Sequence, residues 1–377
     1  MDTMVTPPQV DPKEPVEEQD DLDEAMPRIH VTRKHVLLFA LLGISTIAFA
    51  YFVLPQLSDL GEKGKDIGQG DPWWLAGALF FTIASFGGYV AMFRGVFINN
   101  SSRIDLAASY QITMAGLAAT RLFAAGGAGG IALTAWALRR AGMDRRKVAD
   151  KTLAFLILTY AVYFAALVIC GFGLFWGVLS GPAPFGITVV PAVFALIVIA
   201  LGLGLSRVPP DLQRRLEGFA RRGGRLARLA QRLANAPAAF SAGMREAVCH
   251  VRRRDPALLG AIAYWGFNIA TLWACFHAFG DPPPWGVIIM AYFVGFLGNL
   301  LPLPGGIGGV DGGMIGAFLA FGVDGGLAVL AVLSYRLFAF WLPTIPGAIA
   351  YFQLRRTVAR WREERAHPGE LAASAGA

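Results

Sequence analysis

The chain has 377 residues, 55% of them hydrophobic and 16% charged, with a mean hydropathy of +0.52. An average soluble domain carries about 25% charged residues, so a water-soluble fold is excluded and a membrane protein is expected. The net charge of +7 comes from basic residues that lie between apolar segments, a distribution that suits anionic membrane lipid and not nucleic acid. Cys170, Cys249 and Cys275 form no CxxC pair and no metal-ligand spacing, so neither a disulfide framework, a metal site nor a cofactor is expected.

Residues 1–35 carry nine acids, several prolines and no apolar periodicity, which reads as a disordered acidic tail. The tail has no charged n-region or cleavage site, so it is not a signal peptide. Seven apolar segments follow that are long enough to cross a bilayer: Val36–Leu54, Trp73–Phe93, Leu106–Phe123, Thr152–Val178, Gly186–Leu205, Ala257–Phe279 and Leu327–Phe352. Three shorter pieces, Ile131–Leu138, Trp285–Leu301 and Ile307–Phe321, lie beside glycine clusters and read as arms of broken or re-entrant elements.

The loops divide by basic charge, the quantity that sets orientation. The tail, the loops 94–104, 139–151 and 207–256, and the stretch from 353 together hold 29 of the 33 Lys and Arg. Lys63 and Lys65 lie in another loop, and Arg121 and Arg336 fall inside apolar segments. Placing all 29 in the cytoplasm requires the path Leu106–Leu138 to enter and leave from inside, and Trp285–Phe321 to enter and leave from outside. The expected architecture is therefore an all-α polytopic bundle of two inverted repeats, 36–178 and 186–352, each with a glycine-rich re-entrant hairpin. Both termini, including the basic tail 353–377, would be cytoplasmic. The two hairpins share a GGxGG tip, Gly126-Gly127-Ala128-Gly129-Gly130 and Gly305-Gly306-Ile307-Gly308-Gly309. The basic loop 207–256 reads either as an amphipathic helix in the headgroup layer or as a solvated connector.

Pro302 and Pro304, just before the second tip, stop a helix in mid-membrane, because each lacks an N–H. Irregular backbone survives there only when buried in protein or lining a wet cavity, and the helix that restarts offers free amides to an anion. A tight small-residue helix crossing is the alternative. Ionisable groups inside a membrane cost on the order of 3 kcal/mol and are functional by default, which selects Arg121, Asp311 and Arg336, with Tyr335 beside Arg336 and His277 and the amides Gln111, Asn268 and Asn299 nearby in depth. Arg121 and Arg336 would bind a lipid headgroup phosphate while Asp311 balances one of them; an Asp311–Arg336 ion pair that only fixes packing is the alternative. Cys275 and His277 suggest packing, and no nucleophile–base constellation, carboxylate pair or nucleotide loop is present.

The stretch Asn299-Leu300-Leu301-Pro302-Leu303-Pro304-Gly305-Gly306-Ile307-Gly308-Gly309-Val310-Asp311-Gly312-Gly313, continuing to Tyr335-Arg336-Leu337-Phe338, resembles the lysylphosphatidylglycerol synthase transmembrane region, also called the flippase-like or UPF0104 family. Gly129-Gly130 through Leu138-Arg139-Arg140-Ala141-Gly142 is similar to that family's other signature. The resemblance spans about 36–352 and differs in having Asp311 where the family usually has Glu. It implies movement of phospholipid or polyprenyl-linked lipid between leaflets of a bacterial inner membrane, without the aminoacyltransferase domain of the bifunctional synthases. A flippase or lipid transporter, not an enzyme, is the leading expectation. The other classes are an intramembrane enzyme acting on lipid phosphates and a non-transporting lipid- or partner-binding membrane protein. Anionic membrane lipids are the expected partners, with a second copy of the chain or a lipid-synthesis enzyme as protein partner.

Overall fold

A computed structural model describes residues 70–98, 104–122, 128–206, 243–244, 248–249, 255–300 and 308–366. The tail 1–35, the segment Val36–Leu54, nearly all of the basic loop 207–256 and the tip residues Gly126, Gly127, Pro302, Pro304, Gly305 and Gly306 lie outside the described residues. Among the described residues the regular structure is entirely helical. The helices are α1 Pro72–Phe97, α2 Leu106–Leu122, α3 Ala128–Arg140, α4 Arg145–Phe175, α5 Phe185–Ser206 and α6 Pro256–Phe279. They continue as α7 Trp285–Phe296, α8 Gly309–Ala320, α9 Gly325–Arg336 and α10 Leu342–Ala366. A 3₁₀ turn, Leu297–Leu300, extends α7, and a π-helical turn, Leu337–Trp341, joins α9 to α10.

Five helical stretches are long and apolar enough to cross a membrane: Pro72–Phe97, Arg145–Phe175, Phe185–Gly204, Pro256–Phe279 and the continuous Gly325–Arg362. The expected span Leu106–Phe123 is described as far as Leu122, a helix of 17 residues that pairs with the 13-residue α3 as a hairpin arm. The last expected span, Leu327–Phe352, runs on through Ala366, where Leu354, Val358 and Trp361 are buried against the first hairpin's cluster.

Aspartates at five of the described helix starts, Asp105 before α2 among them, explain acids that the apolar pattern leaves over. Asp71 and Asp255 each precede a proline at the first helical position and accept from the amides of Trp73 (2.9 Å) and Ala257 (3.1 Å). Asp144 and Asp324 cap α4 and α9 in the same way. Such caps satisfy amides that have no intrahelical partner. At the other end of α3, Gly142 takes φ +94° while Met143 N–H donates to Leu138 O and Gly142 N–H to Arg139 O. This double closure needs a left-handed residue, which glycine adopts without penalty.

The centre of the bundle is the antiparallel pair α1 and α6. Gly88 and Gly260 let the two backbones touch: a Cβ on Gly88 would meet Tyr264 N at 2.8 Å and Gly260 O at 3.0 Å. Small residues at helix contacts are how membrane helices gain packing without a water-driven force. On either side, α10 packs on α2 and α7 packs on α4.

Buried side chains form two clusters that divide the long helices across their length. One holds the C-terminal half of α1, the N-terminal parts of α4 and α6, all of the clustered residues of α2 and α3, and Ala350–Trp361 of α10. The other holds Ala78 of α1, the C-terminal parts of α4 and α6, and the clustered residues of α7, α8 and α9. The first hairpin thus lies at the Arg139/Arg145 end of the bundle and the second at the opposite end. Ala339 is the last residue of the final helix to join the second cluster and Ala350 the first to join the other.

Candidate functional site

The candidate groups meet where the two clusters meet. Arg121 stands in the last turn of α2, Asp311 in the first turn of α8, and Arg336 at the end of α9, immediately before the π turn. Asp311 Oδ1 forms an ion pair with Arg336 Nε, and the two residues are 4% and 8% exposed, so the pair is shielded by protein. The other carboxylate oxygen, Oδ2, accepts from Gly308 N–H at 3.1 Å, with Gly308 at φ +82° as the N-cap. The helix start that sequence reasoning offered to an anion is therefore already capped by the chain's own carboxylate.

Arg121 donates from Nη1 to Phe340 O at 2.7 Å and from Nη2 to Ala339 O at 2.8 Å. The sequence explains why one of those carbonyls, Ala339 O, needs a donor. Ala339 O would ordinarily accept from the amide four residues on, but that residue is Pro343, which has no N–H. Phe340 O also accepts from Thr344 Oγ1 at 2.8 Å. The Phe340 ring ties the two arginines into one site: the Arg336 guanidinium lies 4.4 Å and the Arg121 guanidinium 5.1 Å from its centroid. A second ring, Phe86 of α1, lies 5.8 Å from Arg121. Aromatic faces compensate cations where water is excluded.

Tyr335, adjacent to Arg336, begins a buried polar chain. Its hydroxyl donates to Asn268 Oδ1 at 3.3 Å and lies 2.9 Å from the Tyr292 hydroxyl. Asn268 Nδ2 donates to Ser85 Oγ at 3.1 Å and to Tyr264 O at 2.8 Å. The chain links α1, α6, α7 and α9 and fixes the face that Arg336 presents. Asn299 differs from the other candidates, being exposed on the 3₁₀ turn; the amide that enters the buried network is Asn268. His277 packs, stacked 4.2 Å from Trp74 and edge-on to Trp273, and Cys275 is buried.

The surviving tip glycines close the hairpins. A Cβ on Gly130 would strike Gly116 O and the Thr120 hydroxyl of α2, and one on Gly298 would strike Gly309 O. Gly129 is half-buried at the start of α3. The last glycine of each GGxGG, Gly130 or Gly309, thus lies against a glycine in the first arm of its own hairpin. Phe340, Tyr292 and Ser85 are the site residues that the sequence did not bring forward, whereas Asn268 was among the amides it placed near the charges. Only the Ala339–Pro343 spacing signalled that a carbonyl there would need an outside donor.

Long apolar helices, two hairpins and a buried charged cluster between them define a multi-pass, all-α integral membrane protein. Residues 37–347 match the family described as the lysylphosphatidylglycerol synthase TM region, and the chain belongs to that family. Similar curated proteins include two UPF0104 membrane proteins from Methanothermobacter thermautotrophicus. One is 34% identical over 91 residues, covering 24% of this chain and 26% of the relative; the other is 37% identical over 86 residues, covering 22% and 26%. A UPF0104 membrane protein of Pyrococcus horikoshii is 28% identical over 106 residues, covering 28% of this chain and 32% of its own length. The matches to these relatives therefore span about a quarter to a third of their length.

Proposed function

We propose that the protein moves a phosphate-bearing lipid between the two leaflets of the membrane, with Arg121 and Arg336 holding the headgroup phosphate and Asp311 as the counter-charge that Arg336 returns to when the site is empty. The observation that carries this reading is the convergence of two guanidiniums on one phenylalanine ring between the two hairpin ends, 5.1 and 4.4 Å from its centroid. A purely structural ion pair needs one arginine. A second one beside it leaves a net positive charge away from both surfaces, which is costly unless an anion visits. A guanidinium presents a planar fork that fits phosphate oxygens.

Several features support the inverted-repeat reading that this mechanism uses. Each hairpin keeps its clustered residues at one end of the bundle, α1 and α6 cross as a central antiparallel pair, and α2 on α10 mirrors α7 on α4. In this reading the hairpins are re-entrant from opposite faces and the headgroup passes between their tips. The lipid is released unchanged, so the protein is a transporter and not an enzyme. Anionic phospholipid or a polyprenyl phosphate fits two arginines better than a zwitterionic headgroup, and the membrane is the bacterial inner membrane with the basic loops inside.

The test is reconstitution into liposomes carrying fluorescent lipid, with dithionite added outside. The protein should speed bleaching of inner-leaflet anionic lipid, and Arg336→Ala should remove that gain while the variant stays folded. Mass spectrometry should recover the lipid unaltered. No acceleration with anionic, zwitterionic or polyprenyl lipid overturns the reading, and so does full activity in both Arg336→Ala and Arg121→Ala.

A further inference from the structure

Arg121 does something that headgroup binding alone does not explain: both of its terminal nitrogens already donate to the backbone of another helix, Nη1 2.7 Å from Phe340 O and Nη2 2.8 Å from Ala339 O. Those carbonyls belong to the π turn Leu337–Trp341, where Leu342 N–H bonds to Leu337 O and Pro343 follows. A π turn with a proline behind it is a weak point in a helix, because the regular ladder of amide bonds is interrupted.

The turn is also a junction. Before it, α9 belongs to the second hairpin's body: Arg336 is paired to Asp311, Tyr335 is bonded to Asn268, and Ala328, Ala331 and Val332 lie in that cluster. After it, α10 belongs to the first hairpin's body. Gly347 sits so close to α2 that a Cβ would meet the Ala118 side chain at 2.8 Å and Met114 O at 2.9 Å. Further along, Thr357 donates to Gln111 at 2.8 Å. The final helix is thus held by one hairpin above the turn and by the other below it.

We infer that the π turn is the hinge between the two hairpin bodies, and that Arg121 is the clasp that locks it, released when a phosphate takes the guanidinium from the two carbonyls. The phosphate-binding part rests on the function proposed above; the clasp itself does not. Arg121 is a positioning residue in this scheme: it holds the turn straight in the empty protein and yields it when an anion arrives. A phosphate oxygen carries full negative charge and competes effectively with neutral carbonyls for the same N–H groups. The exchange converts headgroup arrival at one hairpin tip into freedom of one of the helices that join both bodies, the kind of differential contact that a coupled conformational change requires.

The test is hydrogen exchange of the peptide spanning 337–349, measured on the full-length protein in dodecyl maltoside, which contains no phosphate. Arg121→Ala should raise exchange there by at least about tenfold, the equivalent of losing one of the two charged hydrogen bonds that it removes from the closed turn, while peptides of α4 and α5 are unchanged. Adding phosphatidylglycerol should raise wild-type exchange toward that of Arg121→Ala and leave the variant where it was. Inorganic phosphate in a parallel sample separates a general anion effect from a lipid one, and either source releasing the turn supports the exchange. Arg121→Lys keeps the charge but not the planar fork, so it should show intermediate protection and guards against a variant that fails to fold.

Wild-type-like protection in Arg121→Ala overturns the clasp, and wild-type exchange unmoved by both phosphate sources overturns its release. If the exchange behaves as stated while liposomes show no lipid movement, the transport reading fails and the hinge stands.

Discussion

Replacing Asp311 by Asn isolates the buried charge at the site. Asn keeps a side-chain oxygen to accept from Gly308 N–H, a bond now 3.1 Å long, so the helix cap survives. What is lost is the negative charge beside Arg336, in a pair whose members are 4% and 8% exposed. Breaking a buried pair by removing one partner costs about 3–5 kcal/mol, because the remaining charge is left uncompensated. The Phe340 ring, 4.4 Å from that guanidinium, offsets part of the loss, which places the expected value near the lower end, about 3 kcal/mol. Unfolding by dodecyl sulfate in maltoside micelles, followed by tryptophan fluorescence, measures it; Trp265 is buried close to the network. The double variant Asp311→Asn with Arg336→Met should recover more than half of the loss, since no unpaired charge remains. The reasoning is refuted if Asp311→Asn stays within about 0.5 kcal/mol of wild type, the range of an ordinary surface change, or if the double variant is the less stable of the two.

Other substitutions have separable outcomes in the same assay. Gly260→Ala should destabilise by roughly 1–3 kcal/mol through overpacking, because its Cβ would press on Met92 backbone and Gly88 O. Gly77→Ala, where a Cβ meets nothing within 4 Å, should be neutral or stabilising by up to about 1 kcal/mol. Tyr335→Phe should cost about 1–3 kcal/mol by leaving buried groups on Asn268 and Tyr292 unsatisfied. Gly308→Ala should cost about 1–2 kcal/mol from forcing a side chain into the left-handed region, since Gly308 has φ +82°.

Much of the helix inventory was legible because bilayer crossing imposes a length and a composition on each segment separately. Trp73–Phe93, Thr152–Val178, Gly186–Leu205 and Ala257–Phe279 fall within or close to observed helices. Their ends were less legible. Asp-Pro at 71–72 and 255–256 was a readable start signal, whereas the extension of α10 to Ala366 depends on Trp361 finding a buried place against the first hairpin. Arg121, Asp311 and Arg336 stood out by cost alone, since a charge in an apolar segment demands a reason wherever it packs. Asn299 was drawn in by its nearness in sequence to the second tip, but the 3₁₀ turn leaves it exposed.

By itself, the sequence determined that the chain lives in a membrane, which segments are helical and which three charged side chains are out of place, because hydrophobicity and charge are properties of each residue. Only the tertiary structure decided what those charges do. Asp311 divides its two oxygens between a helix cap and Arg336, while Arg121 is spent on carbonyls 218 and 219 residues away. Those partners come from the crossing of α2 with the broken last helix, and no local pattern encodes which distant side chain will serve the carbonyl that a proline leaves without a donor.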